Sequence, residues 1–222
     1  MRVVRTKKGE PWEPKSRLII PGHLDPQLVS FRTDSPTTSP LAVNICAVVA
    51  VAKNWQGTTF DVSTAFLGGK ETNWKVYIRA PKEGLPATED QEAVPPGRLL
   101  EIIKGAFGLA EAPRLWYLRA REILAEIGWT ELQCSRATFI LKEGDEVIAT
   151  LNLHVDDGLV LGDLNSPSLK AVIKKMNQRF HIKEWKELTE GVMYLGVHWK
   201  QQPDGTITID MDSYIQQQLE RD

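Results

Sequence analysis

Asp156 and Asp157 stand side by side in the stretch ATLNLHVDDGLVLGD, Ala149 to Asp163, between the apolar runs Thr150 to Val155 and Leu159 to Leu161. Two apolar runs around Asp-Asp-Gly make the pattern of a tight hairpin with its turn at Asp156-Asp157-Gly158. A third aspartate, Asp61, closes the short β-branched run Thr58 to Val62. Three carboxylates brought within a few ångströms raise one another's pKa unless a cation sits among them. Magnesium suits such a group, because it is a hard ion that prefers oxygen, keeps some water and takes its remaining ligands from substrate phosphates. Two such ions about 4 Å apart activate an attacking oxygen and stabilise a leaving one in phosphoryl transfer. If the three aspartates meet, the implied reaction is nucleotidyl transfer; if not, Asp-Asp-Gly is a hairpin tip and Asp61 a strand end.

The elements that must position them are legible as local patterns. Ser39-Pro40 reads as an N-cap followed by proline at the first helical position, and Leu41, Ile45, Val48, Val49 and Ala52 recur at helical spacing to about Asn54. A second helix opens at Ala112-Pro113 and runs to Gly128, with Trp116, Ala120, Ile123, Leu124 and Ile127 on one face. Thr138 to Leu141 reads as a strand, with a turn at Gly144-Asp145 before the hairpin. Ser166-Pro167 caps a third helix with an apolar stripe of Leu169, Val172, Ile173, Met176 and Phe180. Met193 to Trp199 reads as a strand, turned by Pro203-Asp204-Gly205 into Thr206 to Ile209. Pro81 to Gly97, acidic and proline-rich, reads as an exposed loop. Strand, helix, strand, strand, helix, strand is the split βαβ order. A right-handed crossover then sets the hairpin turn at the end of the sheet where Asp61 finishes its strand.

Composition excludes several classes. The apolar and charged fractions are those of a globular chain, no apolar run approaches a membrane span, and MRVVRTKKGE lacks the apolar core of a signal peptide. Cys46 and Cys134 are far apart, and His23, His154, His181 and His198 show no ligand spacing, so neither a disulfide framework nor a zinc site is expected. The net charge of −2 gives no global sign of nucleic-acid binding. Locally, Arg2, Arg5, Lys7, Lys8, Lys15 and Arg17 face only Glu10 and Glu13, and Lys104, Arg114, Arg119 and Arg121 form a second basic stretch interrupted by Glu111.

The order FDVSTAFLGG (Phe60 to Gly69), AFGLAEAPRLWY (Ala106 to Tyr117) and LHVDDGLVLGD resembles the reverse transcriptase domain of copia-type retrotransposons, an RNA-directed DNA polymerase. KSRLIIPGH is similar to that family's basic fingers motif, and YLGVHW and DMDSYIQQQL to the end of its palm, so the likeness runs from about Lys15 to Leu219. The resemblance implies an α+β fold: a palm with a split βαβ (ferredoxin-like) antiparallel sheet, plus a small fingers subdomain. One domain over 1–222 is expected, with fingers at about 1–57 and 70–112, palm at about 58–69 and 113–222, and no thumb or RNase H.

The resemblance also implies roles. Asp61, Asp156 and Asp157 match the catalytic, metal-binding aspartates, with Asp61 and Asp156 shared by two Mg2+ ions, or Mn2+ in their place. Phe66 falls where an aromatic ring excludes a 2'-hydroxyl and so favours deoxynucleoside triphosphates. The backbone of Val62, Ser63, Thr64 and Ala65 would cradle the triphosphate, with Lys15 and Arg17 on its outer phosphates. Phe107, Gly108, Pro113 and Arg114 match the segment under the template and incoming base pair, and Tyr194, Leu195 and Gly196 the region that positions the primer end. Trp116 and Tyr117, on a helix, read as packing residues. The implied partners are an RNA or DNA template with its primer and the RNase H and integrase parts of a polyprotein, with no membrane; the implied location is a cytoplasmic virus-like particle or the nucleus.

Three departures accompany these matches: His154 stands in place of the usual tyrosine, Pro21 in place of an arginine, and Ala110-Glu111 in place of lysine-glutamine. Each removes a positive or polar contact, and phosphate neutralisation supplies much of the affinity for nucleic acid. The alternative is therefore a catalytically silent nucleic-acid-binding remnant of a decayed element. A metal-dependent phosphodiesterase using the same carboxylates is a weaker third reading.

Overall fold

The computed structural model describes residues 2–8, 13–25 and 32–219. Along the chain these form β1 (Arg2–Lys8), β2 (Glu13–Ile19), α1 (Pro40–Ala52), β3 (Gln56–Val62), β4 (Glu71–Arg79), β5 (Leu99–Lys104) and α2 (Ala112–Glu126). There follow β6 (Trp129–Leu132), β7 (Ser135–Glu143), β8 (Glu146–His154), β9 (Asp157–Gly162), α3 (Pro167–Arg179) and β10 (Ile182–Glu187). The last elements are β11 (Val192–Tyr194), β12 (Val197–Gln201), β13 (Ile207–Asp210) and α4 (Asp212–Leu219). The mixture of helices with antiparallel sheets agrees with the expected α+β class. Two compact units divide the chain, 1–35 with 66–119 and 36–65 with 120–222. Residues 36–57, expected with the fingers, fall in the second unit, and 66–69 and 113–119, expected with the palm, fall in the first.

In the first unit β1 pairs with β2 and β4 with β5, each as a two-stranded antiparallel ribbon. Ile20, Ile78, Leu109 and Ala112 form its core, with Phe66, Val76, Leu100 and Ile102 against them. The segment after β2 lies backbone to backbone on the loop before α2: Ile20 N donates to Phe107 O (2.7 Å) and Gly22 N to Gly108 O (3.0 Å). Gly108 has φ +86°, and a Cβ there would overlap the Ile20 carbonyl. Only glycine meets both conditions. Between Pro81 and Gly97 the loop is tied across by paired bonds between Leu85 and Val94 (2.9 Å each).

The second unit holds a six-stranded antiparallel sheet in the order β10-β3-β9-β8-β7-β6. Its strands β3, β8, β9 and β10 give the split βαβ order, with β6 and β7 added beyond β8. The fourth strand differs from the sequence expectation. It is β10, whose IKEWKE has apolar side chains only at Ile182 and Trp185 and a register shift between them, so alternation alone does not reveal it. Met193 to Trp199 is not one strand of this sheet: Leu195 (φ +54°) and Gly196 (φ +77°) turn the chain, and β11, β12 and β13 make a separate three-stranded sheet. The expected Pro203-Asp204-Gly205 turn is present between β12 and β13, closed by Gln202 N donating to Thr206 O.

Ser39 caps α1 through its hydroxyl, which accepts from Ala42 N at 3.1 Å. The buried face of α1 is Val43, Cys46, Ala47 and Ala50, packed with Leu159, Leu161, Trp55, Leu188 and Trp199. The expected stripe of Leu41, Ile45 and Val48 lies on the exposed face instead. With mean hydropathy high all round, no angular contrast was available to choose a face. On α2 and α3 the contrast exists and the expected stripes are buried, Ile173 only partly. Trp116 and Tyr117 are buried as well.

Candidate functional site

The hairpin between β8 and β9 turns one residue earlier than its sequence suggests. His154 pairs with Asp157, so the two-residue turn is Val155-Asp156, while Asp157 and Gly158 already belong to β9. Gly158 serves packing rather than the turn: a Cβ there would overlap the ring of Phe60, whose centre lies 4.9 Å from that of Trp185 at a tilt of 47°. The turn takes its left-handed residue at Val155 (φ +57°), where a β-branched side chain costs on the order of 1–3 kcal/mol. Such strain persists only where the surroundings fix it.

The neighbouring strand supplies the third carboxylate. Asp61 pairs directly with Asp157 across β3 and β9, and Val62 N donates to the carbonyl of Asp156 at 2.9 Å. Residues opposite one another point to the same face, so the side chains of Asp61 and Asp157 emerge together, with His154 next to Asp157 on β8. Loss of solvation pushes the Asp157 carboxyl above the usual range; the charges of Asp156 and Asp61 push the same way, while His154 opposes them. This crowding of negative charge is what a divalent cation relieves. Among the described residues no group of three or more His, Cys, Asp or Glu side chains stands arranged to hold a metal ion. The donors nevertheless fit magnesium: carboxylate oxygens suit a hard ion that takes its other ligands from water and phosphate rather than from a protein cage.

The expected phosphate cradle is narrower than its sequence suggests. Val62 N is committed to Asp156 and Ser63 N donates to His181 O at 2.9 Å. Two of the four amides are therefore used in holding β3 to its neighbours. Thr64 has φ +54° and its hydroxyl donates to Ser63 O, while Ala65 is buried.

The first unit, taken by itself, contains Arg17, Phe66, Phe107 and Gly108. Phe66 meets Phe107 edge to face at 5.4 Å, and the exposed Arg17 places its guanidinium 5.8 Å from the Phe107 ring centre. The side chain of Lys15 lies outside the described residues. Arg114 is committed to Asp34, which also binds Arg32, and Pro113 O accepts from Ser35. Glu111 does not present its charge to solvent as its sequence position implied. It is 5 % exposed, Oε2 has no hydrogen-bond partner among the described residues, and burial pushes its carboxyl up to about 7 against the opposing charge of Arg114.

Tyr194 is also not a surface contact for a primer. It is 2 % exposed, and its hydroxyl donates to the backbone carbonyl of Asn152 at 2.8 Å. Asn152 is wholly buried; its side-chain oxygen accepts from Thr38 Oγ1 at 3.1 Å, and Thr38 N donates to Leu153 O. Thr38 and Asn152 were not singled out from sequence. A polar residue at the centre of the apolar run TLNLHV is the one signal that marks Asn152.

Relatives are found along most of the chain. Residues 2–221 match the family model described as "Reverse transcriptase (RNA-dependent DNA polymerase)". The chain is 32 % identical over 192 residues to the retrovirus-related Pol polyprotein from transposon RE2 of Arabidopsis thaliana, covering 86 % of this chain and 12 % of that protein. The corresponding protein of transposon RE1 from the same plant is 32 % identical over 193 residues, again covering 86 % of this chain and 12 % of the relative. That of transposon TNT 1-94 from Nicotiana tabacum is 23 % identical over 210 residues, covering 93 % and 15 %. The chain thus spans about one eighth of the length of the two Arabidopsis relatives.

Proposed function

Since the chain belongs to the copia-type reverse transcriptase family, we propose that it carries out template-directed nucleotidyl transfer, with its second unit as the palm and its first as the fingers. The observation that supports this most directly is the register of β3 on β9, which sets Asp61 opposite Asp157 with Asp156 tied to Val62. In this reading Asp61, Asp156 and Asp157 would hold the Mg2+ ions. Mg2+, when bound, would supply Lewis-acid chemistry there, favouring ionisation of the primer 3'-hydroxyl and offsetting the charge that builds on the transferred phosphate.

The chain's own part is alignment. β3 and the β8–β9 hairpin fix the backbone from which the carboxylates project, so that only their side chains would need to turn towards a bound ion. The amides of Val62 and Ser63, donated to the carbonyls of Asp156 and His181, fix the end of β3 that carries Asp61. Phe66 discriminates the sugar, and Lys15 and Arg17 take outer phosphates of the deoxynucleoside triphosphate. Phe107 and Gly108 support the template side. These roles rest on the resemblance of their motifs. The template is RNA or DNA, the partners are the RNase H and integrase parts of a polyprotein, and the setting is a cytoplasmic particle or the nucleus.

Primer extension on poly(rA) with oligo(dT) and Mg2+ tests the reading. Asp156→Asn should lower extension roughly a hundredfold or more while the variant keeps its wild-type circular dichroism and melting profile. Undiminished extension by that variant removes the mechanism. A second reading draws on His154, whose Nδ1 is buried without a hydrogen-bond partner among the described residues, at the position beside Asp157. There the chain is a silent nucleic-acid-binding remnant, and folded wild-type protein binds primer–template but extends nothing.

A further inference from the structure

Four residues before the first aspartate of the hairpin, β8 is gripped from two sides. Tyr194 reaches across from β11 and donates its hydroxyl to the Asn152 carbonyl at 2.8 Å. From the segment leading into α1, Thr38 donates its hydroxyl to Asn152 Oδ1 at 3.1 Å and its amide to Leu153 O at 3.0 Å. Thr38 Oγ1 also lies 3.1 Å from Thr138 Oγ1 on β7, and Thr138 lies 2.9 Å from Ser135. All the gripping side chains are buried, with Tyr194, Thr38 and Asn152 no more than 4 % exposed. Trp199 in turn fixes Tyr194, its ring edge to face at 6.3 Å and its Nε1 donating to Tyr194 O.

The grip has no function in ordinary strand pairing. Asn152 already sits in register with Thr138 on one side and Leu159 on the other. Its carbonyl needs no second donor for satisfaction, whereas a phenol placed in a core needs an acceptor. An aliphatic or phenylalanine side chain would fill the same space without that demand. What the hydroxyl adds is direction: it fixes the carbonyl plane, and hence the path of β8, just before the strained Val155 turn. A strained turn keeps its conformation only if the strands feeding it cannot relax.

We propose that Tyr194 and Thr38 are positioning residues that hold the end of β8, through Asn152, so that the Val155 turn presents Asp156 and Asp157 at working height beside Asp61. This rests on the reading of those aspartates as the catalytic set. It gives the tyrosine of the YLG motif an interior task under the carboxylates, distinct from contact with a primer. It also explains why three residues far apart in sequence, Thr38, Asn152 and Tyr194, share one buried polar contact.

The test is an amide spectrum of the 15N-labelled chain, wild type against Tyr194→Phe, with and without Mn2+. The phenylalanine variant keeps the ring and loses only the donor. Its Val155, Asp156, Asp157 and Gly158 amides should shift while the distant α3 amides stay. The Mn2+ concentration that broadens the Asp156 and Asp157 signals by half should rise roughly threefold to tenfold, the scale of one lost hydrogen bond. Thr38→Val, which releases Asn152 from its other side, should displace the same four amides and serves if Tyr194→Phe disturbs the fold. Unmoved amides at 155–158 in both variants overturn the proposal, even if both melt earlier than wild type, because that is a purely structural role. Should Mn2+ broaden nothing in the wild type, the two-metal reading fails, and the amide displacement alone still decides whether Tyr194 sets the turn.

Discussion

Glu111 shows how one side chain reverses meaning between sequence and structure. In the sequence it is an added negative charge in a motif expected to lie near nucleic acid; in the fold it is a buried carboxyl raised to about 7 from an ordinary 4.5. A raised carboxyl pKa means that the folded state keeps a proton the unfolded chain has released. Stability is therefore complete below about 4.5 and falls as pH rises through about 7, by no more than about 3 kcal/mol once solvent screening is allowed for. Glu111→Gln removes the titration. Urea unfolding should find the wild type losing stability between pH 5 and pH 8 and the variant holding it; parallel profiles would show that Glu111 ionises freely. Gly158 makes the same point: it reads as a turn glycine, and it is the space for the Phe60 ring.

Among the elements, α1 separates what periodicity gives from what packing gives. Its start was legible, because Ser39 and Pro40 are local signals and the cap hydrogen bond forms. Its face was not, since Leu41, Ile45 and Val48 have the same spacing as a core stripe yet lie outside, with Val48 70 % exposed and Ala50 fully buried. Small residues face the sheet because the helix packs close to Leu159 and Leu161. Val48→Thr should then change unfolding free energy by under about 0.5 kcal/mol, and Ala50→Leu should cost about 1–3 kcal/mol by overpacking. Chemical denaturation of both variants checks this, and the opposite order would return the predicted stripe to the core. β10 is the reverse case, an element with little periodic signal that exists because β3 offers it a partner edge.

For the molecule as a whole, charge is the quantity that bears on nucleic-acid binding. A net charge of −2 leaves no overall attraction for a phosphate backbone, so binding must come from local cations such as the exposed Arg17. Affinity for a primer–template should fall steeply with salt, with a log–log slope more negative than about −2, the mark of several neutralised phosphates. A flat salt dependence in fluorescence anisotropy would remove both the polymerase and the binding-remnant readings. No helix among the described residues is long and apolar enough to cross a membrane.

The sequence by itself determined the starts of α1, α2 and α3, the α2 and α3 stripes, the strand carrying Asp61, the hairpin carrying Asp156 and Asp157, and the family, because caps, periodicity and motif order are properties of neighbours along the chain. The convergence of the aspartates followed from the handedness of the crossover, and the Asp61–Asp157 register agrees with it. Only the tertiary structure decided the turn at Val155-Asp156, the exposed side of α1, the edge strand β10, the burial of Glu111 and the grip of Thr38 and Tyr194 on Asn152. Each of these depends on which distant surface a residue meets, and local chemistry, which repeats at short range, carries no record of that.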